Sequence, residues 1–271
     1  FCDEWWFKVW GPDHFSDAEV PIQDEWMINP NEEWHDFEIA GSGFNMLDPI
    51  KATIITPGLN VKGDFDELGI PATIVTKYLS EHGIVVEKTG LYSFFIMFNI
   101  GITKGRWNSL VTELQQFKDD YDQNLPMWRV MPEFVKKSPQ YERMGLQDLC
   151  TAIHGVYKQN NVAKITNDMY LSNIEPAMLP TEAWDRMAHN RVERVTIDQL
   201  EGRITATMIT PYPPGIPLMV PGERFTAEVI SYLRYIKKFN QEFPGFESDV
   251  HGLISKKVDG QKVYYLDVVT E

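Results

Sequence analysis

Within roughly seventy residues, Lys51 to Tyr121, the hydrophobic period of the chain changes repeatedly, and this constrains its fold more than any other feature. Lys51-Ala-Thr-Ile-Ile-Thr56 is β-branched and stops at Pro57-Gly58, the pattern of a strand running into a turn. Pro71 opens an apolar-periodic stretch through Leu79, and Gly83 follows its end. Proline fixes φ where a helix begins and needs no N–H there, while glycine accepts the left-handed turn where one stops. The spacing predicts a helix over 71–79. Ile84-Val85-Val86 reads as a short strand, and Ser93 to Ile100 as a longer buried one. Thr103 then caps a helix in which Leu110, Leu114 and Phe117 recur at helical spacing up to Tyr121. Strand, helix, strand, strand, helix describes a small α+β domain with helices packed on one sheet.

The flanking regions read differently. Residues 1–46 carry Trp5, Trp6, Trp10, Trp26 and Trp34 among acids, with turns at Gly11-Pro12-Asp13 and Asn29-Pro30-Asn31. They are expected to form short strands and long connections, with the tryptophans in core and subunit-contact surface. Asn124-Leu-Pro126 and Met131-Pro132 mark a boundary, which divides the chain into 1–125 and 126–271. Beyond it, helices are expected over 146–157, 162–173, 180–189 and 226–243, and strands over 203–210, 250–254 and 263–269. Asp259-Gly260 would be the hairpin turn before the last strand.

Composition excludes several function classes. A formal net charge of −14 over 271 residues leaves nothing to replace the counterions of a nucleic acid. It suits a cationic ligand, or it simply keeps the protein soluble. The longest apolar stretch, Phe94 to Phe98 with Ile100, is too short to span a bilayer, so no membrane partner is expected. Cys2 and Cys150 form neither a disulfide framework nor a metal spacing, which makes a reducing cytoplasm the simplest location. The chain opens without Met and without a basic leader, as a fragment or processed chain would. The six histidines show no metal-ligand spacing; Gly41-Ser-Gly43 is a turn rather than a phosphate loop, and no nucleophile elbow occurs. No self-contained active site is visible: no catalytic, cofactor-binding or metal residue is assigned.

Three features remain as candidates. Glu87 follows Ile84–Val86 where the chain leaves the sheet, and a carboxylate there can be aimed into a cleft to meet an ammonium group. Its alternative is a surface pair with Lys88. The run Pro211-Tyr-Pro-Pro-Gly-Ile-Pro217 is too proline-dense for a regular element and stiffens the backbone around Tyr212, whose hydroxyl can serve a polar ligand. That run either holds a loop over a pocket or is a rigid connection across its own domain. His251, in the turn after Phe243-Pro-Gly-Phe246, reads as a structural hydrogen-bonding group.

These segments, taken in order, resemble the large bacterial Orn/Lys/Arg decarboxylases. The resemblance lies in Leu47-Asp-Pro-Ile-Lys51 with Thr56-Pro-Gly58, Gly69-Ile-Pro-Ala72, Gly83-Ile-Val-Val-Glu-Lys-Thr-Gly90 and Gly101-Ile-Thr-Lys-Gly105. It continues through the Tyr-Pro-Pro-Gly-Ile-Pro run and Phe243-Pro-Gly-Phe246, so it covers the whole chain. It implies the small subdomain of a fold-type-I pyridoxal-phosphate enzyme over 1–125, followed by the family's C-terminal α+β domain over 126–271. Pyridoxal 5'-phosphate would be bound mainly by an upstream domain, because the family's Ser-x-His-Lys segment is absent and no His-Lys dipeptide occurs. On this resemblance the chain is the C-terminal part of a decarboxylase and inactive by itself. Glu87 and Tyr212 match the residues that meet the distal amine of a basic amino acid substrate. The run around Glu-Lys-Thr-Gly is most similar to the constitutive lysine decarboxylases, which puts lysine before arginine and arginine before ornithine. Family members form homodimers or larger homo-oligomers whose sites are shared between chains. Inducible lysine enzymes carry arginine at the position of Gly145, near where a guanosine alarmone binds, so alarmone control is not expected here. The reading from a different class is a non-catalytic assembly or regulatory module.

Overall fold

The computed structural model describes residues 6–11, 28, 30, 32, 35, 45–48, 50–212, 215–258 and 261–270. Most of the tryptophan-rich start, the turns read at 11–13, 29–31 and 41–43, and the hairpin turn at 259–260 lie wholly or partly outside those residues. The chain divides into two compact units, Phe1–His154 and Gly155–Glu271, and the proline cluster at 124–132 falls inside the first.

In the first unit, β1 (Lys8–Val9), β2 (Lys51–Ile55), β3 (Lys88–Thr89) and β4 (Ser93–Met97) form an antiparallel sheet in the order β1-β2-β4-β3. Ile54 stands opposite Phe94 and Ala52 opposite Ile96, so one face of the pleat is apolar. Helices α1 (Ala72–Glu81) and α2 (Lys104–Asp122) supply Ile74, Val75, Tyr78, Leu79, Leu110, Leu114 and Phe117 to the core. Tyr78 and Phe7 both meet the Phe117 ring edge-on, at centroid distances of 5.3 and 6.1 Å. Each such fully buried side chain contributes about 1.5–3 kcal/mol. The α+β architecture expected from the periodicity is the one observed.

The two ends of α1 behave as Pro71 and Gly83 predict. Pro71 is the N-cap, and Gly83 has φ +77°. The Gly83 N–H donates to the Ser80 carbonyl and the Ile84 N–H to the Leu79 carbonyl, a Schellman stop that turns the chain sharply. The strand expected at Ile84–Val86 does not form. Those residues take no part in the sheet; pairing with β4 begins at Lys88, opposite Phe95, where the preceding Glu87 N–H donates to the Phe95 carbonyl at 2.9 Å. The stop leaves the chain short of the sheet edge for three residues.

The prolines at 126 and 132 open two short helices, α3 (Met127–Val130) and α4 (Pro132–Lys137). Helix α5 (Leu146–Gln159) follows. In the second unit, α6 (Val162–Leu171) and α7 (Pro180–Ala188) precede β5 (Val192–Thr196), which pairs with β9 (Gln261–Val269). With β8 (Ile254–Val258) they make a sheet in the order β5-β9-β8. Helix α8 (Ala227–Glu242) is capped by the Thr226 hydroxyl, which accepts the Val229 N–H at 3.3 Å, and it buries Val229, Leu233, Ile236 and Phe239.

Two expected strands are absent in the form predicted. Over 203–210, Ile204 bridges Arg224, Thr205 bridges Val268 and Ile209 bridges Met219, so successive residues pair in different places and no ladder forms. The expected strand 250–254 is split by Gly252, at φ +93°, where a Cβ would overlap the Met208 carbonyl. Its first part, β7 (Asp249–His251), pairs with β6 (Thr210–Tyr212), and its remainder becomes β8.

Candidate functional site

Glu87 owes its position to backbone alone. The Schellman stop ends α1 and the Phe95 carbonyl fixes the Glu87 N–H, leaving the side chain unconstrained. The carboxylate is exposed, and it makes no ion pair or hydrogen bond among the described residues; the alternative pair with Lys88 is not formed. It lines a cleft of about 550 Å³ in the first unit together with Ile84, Ile96, Phe98, Arg106 and Trp107. The lining is mixed: these apolar side chains stand beside polar ones, Asn99 and Ser109 among them, and both charge signs are represented. Such a lining accommodates an alkyl chain with a charged end, because the methylene groups lose water while the head group keeps polar partners.

One side of this cleft is built by a cluster that sequence inspection passed over. His82, also in the lining, is held by the Tyr78 carbonyl, to which Nδ1–H donates at 2.8 Å. Its Nε2 lies 3.7 Å from Glu113, whose carboxylate accepts the Tyr78 hydroxyl at 3.1 Å. Burial, then the neighbouring Glu113 charge, raises the Tyr78 phenol above its ordinary value, so it stays a donor. The signal was available: Tyr78 and His82 are four apart along α1 and its C-cap, hence on one face. Glu113 comes from another helix and left no trace.

Tyr212 belongs to the second unit. It ends β6, is 46% exposed, and its ring stacks on His251 with centroids 4.5 Å apart. The proline-rich run is stitched back on itself rather than lying free. Ile209 and Met219 exchange backbone bonds, Leu218 N–H donates to Ile209 at 2.8 Å, and Gly215 N–H to Pro211 at 2.8 Å. This returns the chain and leaves Tyr212 and Ile216 outward.

Other chemistries find no support among the described residues. No group of acids, histidines and cysteines could hold a metal ion, and no helix is long and apolar enough to cross a membrane. Burial pushes the Cys150 thiol well above its ordinary value, which removes it as a nucleophile.

The comparisons with known proteins decide the family. The model for the Orn/Lys/Arg decarboxylase major domain matches residues 2–106, and that for the C-terminal domain of the same family matches residues 163–270. The chain belongs to the Orn/Lys/Arg decarboxylases. It is 45% identical to lysine decarboxylase LdcA of Pseudomonas aeruginosa over 99% of this chain and 36% of that protein. A solved structure of lysine decarboxylase A from that organism superposes with a TM-score of 0.91 at 46% identity, covering 98% of this chain and 36% of that one. The structure of the Escherichia coli constitutive lysine decarboxylase gives a TM-score of 0.89 at 38% identity, over 99% and 37% of the two chains. The biodegradative arginine decarboxylase of Escherichia coli is 37% identical over 94% of this chain and 36% of its own length. The chain therefore spans about a third of the curated relatives it matches.

The family implies pyridoxal phosphate, and the described residues do not fit it. The cofactor needs a lysine held in a pocket for its imine. None of the described lysines is buried, and the buried polar groups are Thr56, Asp120, Ser138, His154, Thr205, Thr210 and Asn240. The described part of this chain builds no cofactor cradle.

Proposed function

We propose that the protein carrying this chain is a cytoplasmic, pyridoxal-phosphate-dependent lysine decarboxylase that converts L-lysine to cadaverine and CO2. The observation that carries this reading is the 45% identity to a lysine decarboxylase across 99% of the chain. In this proposal the cofactor is held by residues other than those described, and the present chain contributes selection of the substrate side chain and dimer contacts. Its small subdomain gives way to the C-terminal domain near residue 125, between the two matched family segments. Glu87 receives the distal ammonium of lysine, and the Tyr212 hydroxyl serves the same end of the substrate. An unpaired carboxylate in a cleft that also offers apolar side chains favours an aminoalkyl chain over a neutral one of equal length, since only the former offsets the cost of drying the carboxylate.

The second reading is an arginine decarboxylase, favoured by the 37% identity to the biodegradative arginine enzyme. A non-catalytic module is the reading left if no cofactor-bearing domain accompanies the chain. The test uses the complete protein, with CO2 release measured from lysine, arginine and ornithine. Lysine is expected to give the highest kcat/KM. Glu87→Gln should lower it roughly ten- to a hundredfold, the worth of a hydrogen bond to a charged group, while cofactor absorbance is retained. A faster reaction with arginine would transfer the assignment to the second reading, and unchanged lysine turnover in the variant would remove Glu87 from the site.

A further inference from the structure

The ribbon of β6 and β7 carries a side-chain arrangement that the substrate-binding reading does not use. Tyr212 stands opposite Asp249 and Thr210 opposite His251, so His251 is the diagonal neighbour of Tyr212 on one face. On the alternate face Pro211 and Val250 are buried, which fixes the register, while on the first face Thr210 is buried and Tyr212, Asp249 and His251 are exposed. On that face the Tyr212 and His251 rings lie 4.5 Å apart at an interplanar angle of 37°. His251 is itself held, its Nε2 standing 3.2 Å from the Asp249 carboxylate. Gly215, at φ +82°, packs against the same tyrosine ring; a Cβ there would come within 2.8 Å of Tyr212 Cε1. The ring is thus confined by His251 and Gly215, yet its hydroxyl makes no hydrogen bond among the described residues. A confined ring with an uncommitted hydroxyl is organised to present that hydroxyl to something else.

We infer that His251, oriented by Asp249, is a positioning residue that sets the direction of the Tyr212 hydroxyl toward the distal end of the substrate; this rests on the role given to Tyr212 above. It contributes through the tyrosine ring and does not touch the substrate. Immobilising Tyr212 before binding removes the rotamer freedom that the substrate would otherwise have to quench, so the effect falls on KM rather than on the chemical step.

Two substitutions in the complete decarboxylase separate this role from a structural one. His251→Gln removes the ring and retains a polar partner for Asp249; His251→Phe retains the ring and loses that partner. Positioning by the ring predicts a KM for lysine raised roughly three- to tenfold in His251→Gln, with kcat within about twofold, and a near-normal KM in His251→Phe. The reverse order would mean that the polar contact matters, and it would overturn the inference. Tyr212→Phe tests the underlying reading separately: a normal KM in that variant removes Tyr212 from the site and the inference with it. A raised KM in Tyr212→Phe with a normal one in His251→Gln overturns only the inference. If both are raised, the double variant should be no worse than Tyr212→Phe alone, because there is then no hydroxyl left to position. A 3-fluorotyrosine at 212 gives a readout independent of turnover: its fluorine resonance should move in His251→Gln and stay near its place in His251→Phe. An unmoved resonance in His251→Gln overturns the stack. Where His251→Gln fails to fold, His251→Leu takes its place as the variant without the ring, with KM expected to rise and a normal KM counting against the inference.

Discussion

His154 shows how much of this molecule is decided by single atoms. It is buried on α5, with Nε2 3.2 Å from the Asp66 carbonyl and Nδ1 2.6 Å from the Tyr92 hydroxyl. A carbonyl only accepts, so Nε2 carries the hydrogen, and Nδ1 shares a hydrogen bond with the tyrosine hydroxyl. One ring therefore ties α5 to the Asp66 loop and to the end of the sheet. Gly69 is required by the same ring, since a Cβ there would overlap it. His154→Ala should destabilise the protein by about 1–3 kcal/mol, because buried polar groups lose a partner. Urea unfolding followed by circular dichroism checks this, and a midpoint equal to wild type would make the contact dispensable. The sequence contains the Gly69-Ile-Pro-Ala72 segment but offers no clue to why the glycine is there, because its reason lies far along the chain at His154.

At the scale of elements, what was legible in the sequence was whatever is encoded next to itself. Helices α1, α2, α7 and α8 carry their starts and apolar stripes locally, and each formed where expected to within a few residues. Helix α5 also formed where expected, but caps supplied by distant partners were not legible. Glu81 accepts the Glu133 and Phe134 N–H groups at 3.1 and 2.5 Å, so α4 is capped by a side chain from α1. Asn124 similarly caps α5, accepting the Gln147 N–H at 2.9 Å and the Asp148 N–H at 3.4 Å. That cap explains Gly145: a Cβ at this position would overlap the Asn124 amide. An arginine here is incompatible with the cap as it stands. Gly145→Arg should cost roughly 0.5–2 kcal/mol, the ordinary worth of an N-cap. A thermal midpoint at or above that of the parent would show that Asn124 is not needed.

Across the whole molecule, the family was legible from the order of short motifs, while the geometry of the candidate site was only half so. Glu87 was visible as a carboxylate at the sheet edge, but its cleft depends on Arg106 and Trp107, which come from α2. Tyr212 was visible inside its proline run, whereas its contact with His251 follows from a strand pairing that the expected strands did not contain. The surface of the first unit adds a prediction about assembly. Val85, Ile100 and Trp107 are exposed at 85%, 108% and 42%, an apolar set that a lone chain would leave in water. Analytical ultracentrifugation of the complete protein should show a dimer or larger species, and a fully active monomer would exclude a site shared between chains. The main chain of residue 87 is anchored by Phe95 and by the turn at Gly83, while its side chain supports nothing else in the described fold. Exchange at this position is therefore nearly free of structural penalty, so under the proposed role of Glu87 a change of substrate here would ask nothing of the scaffold.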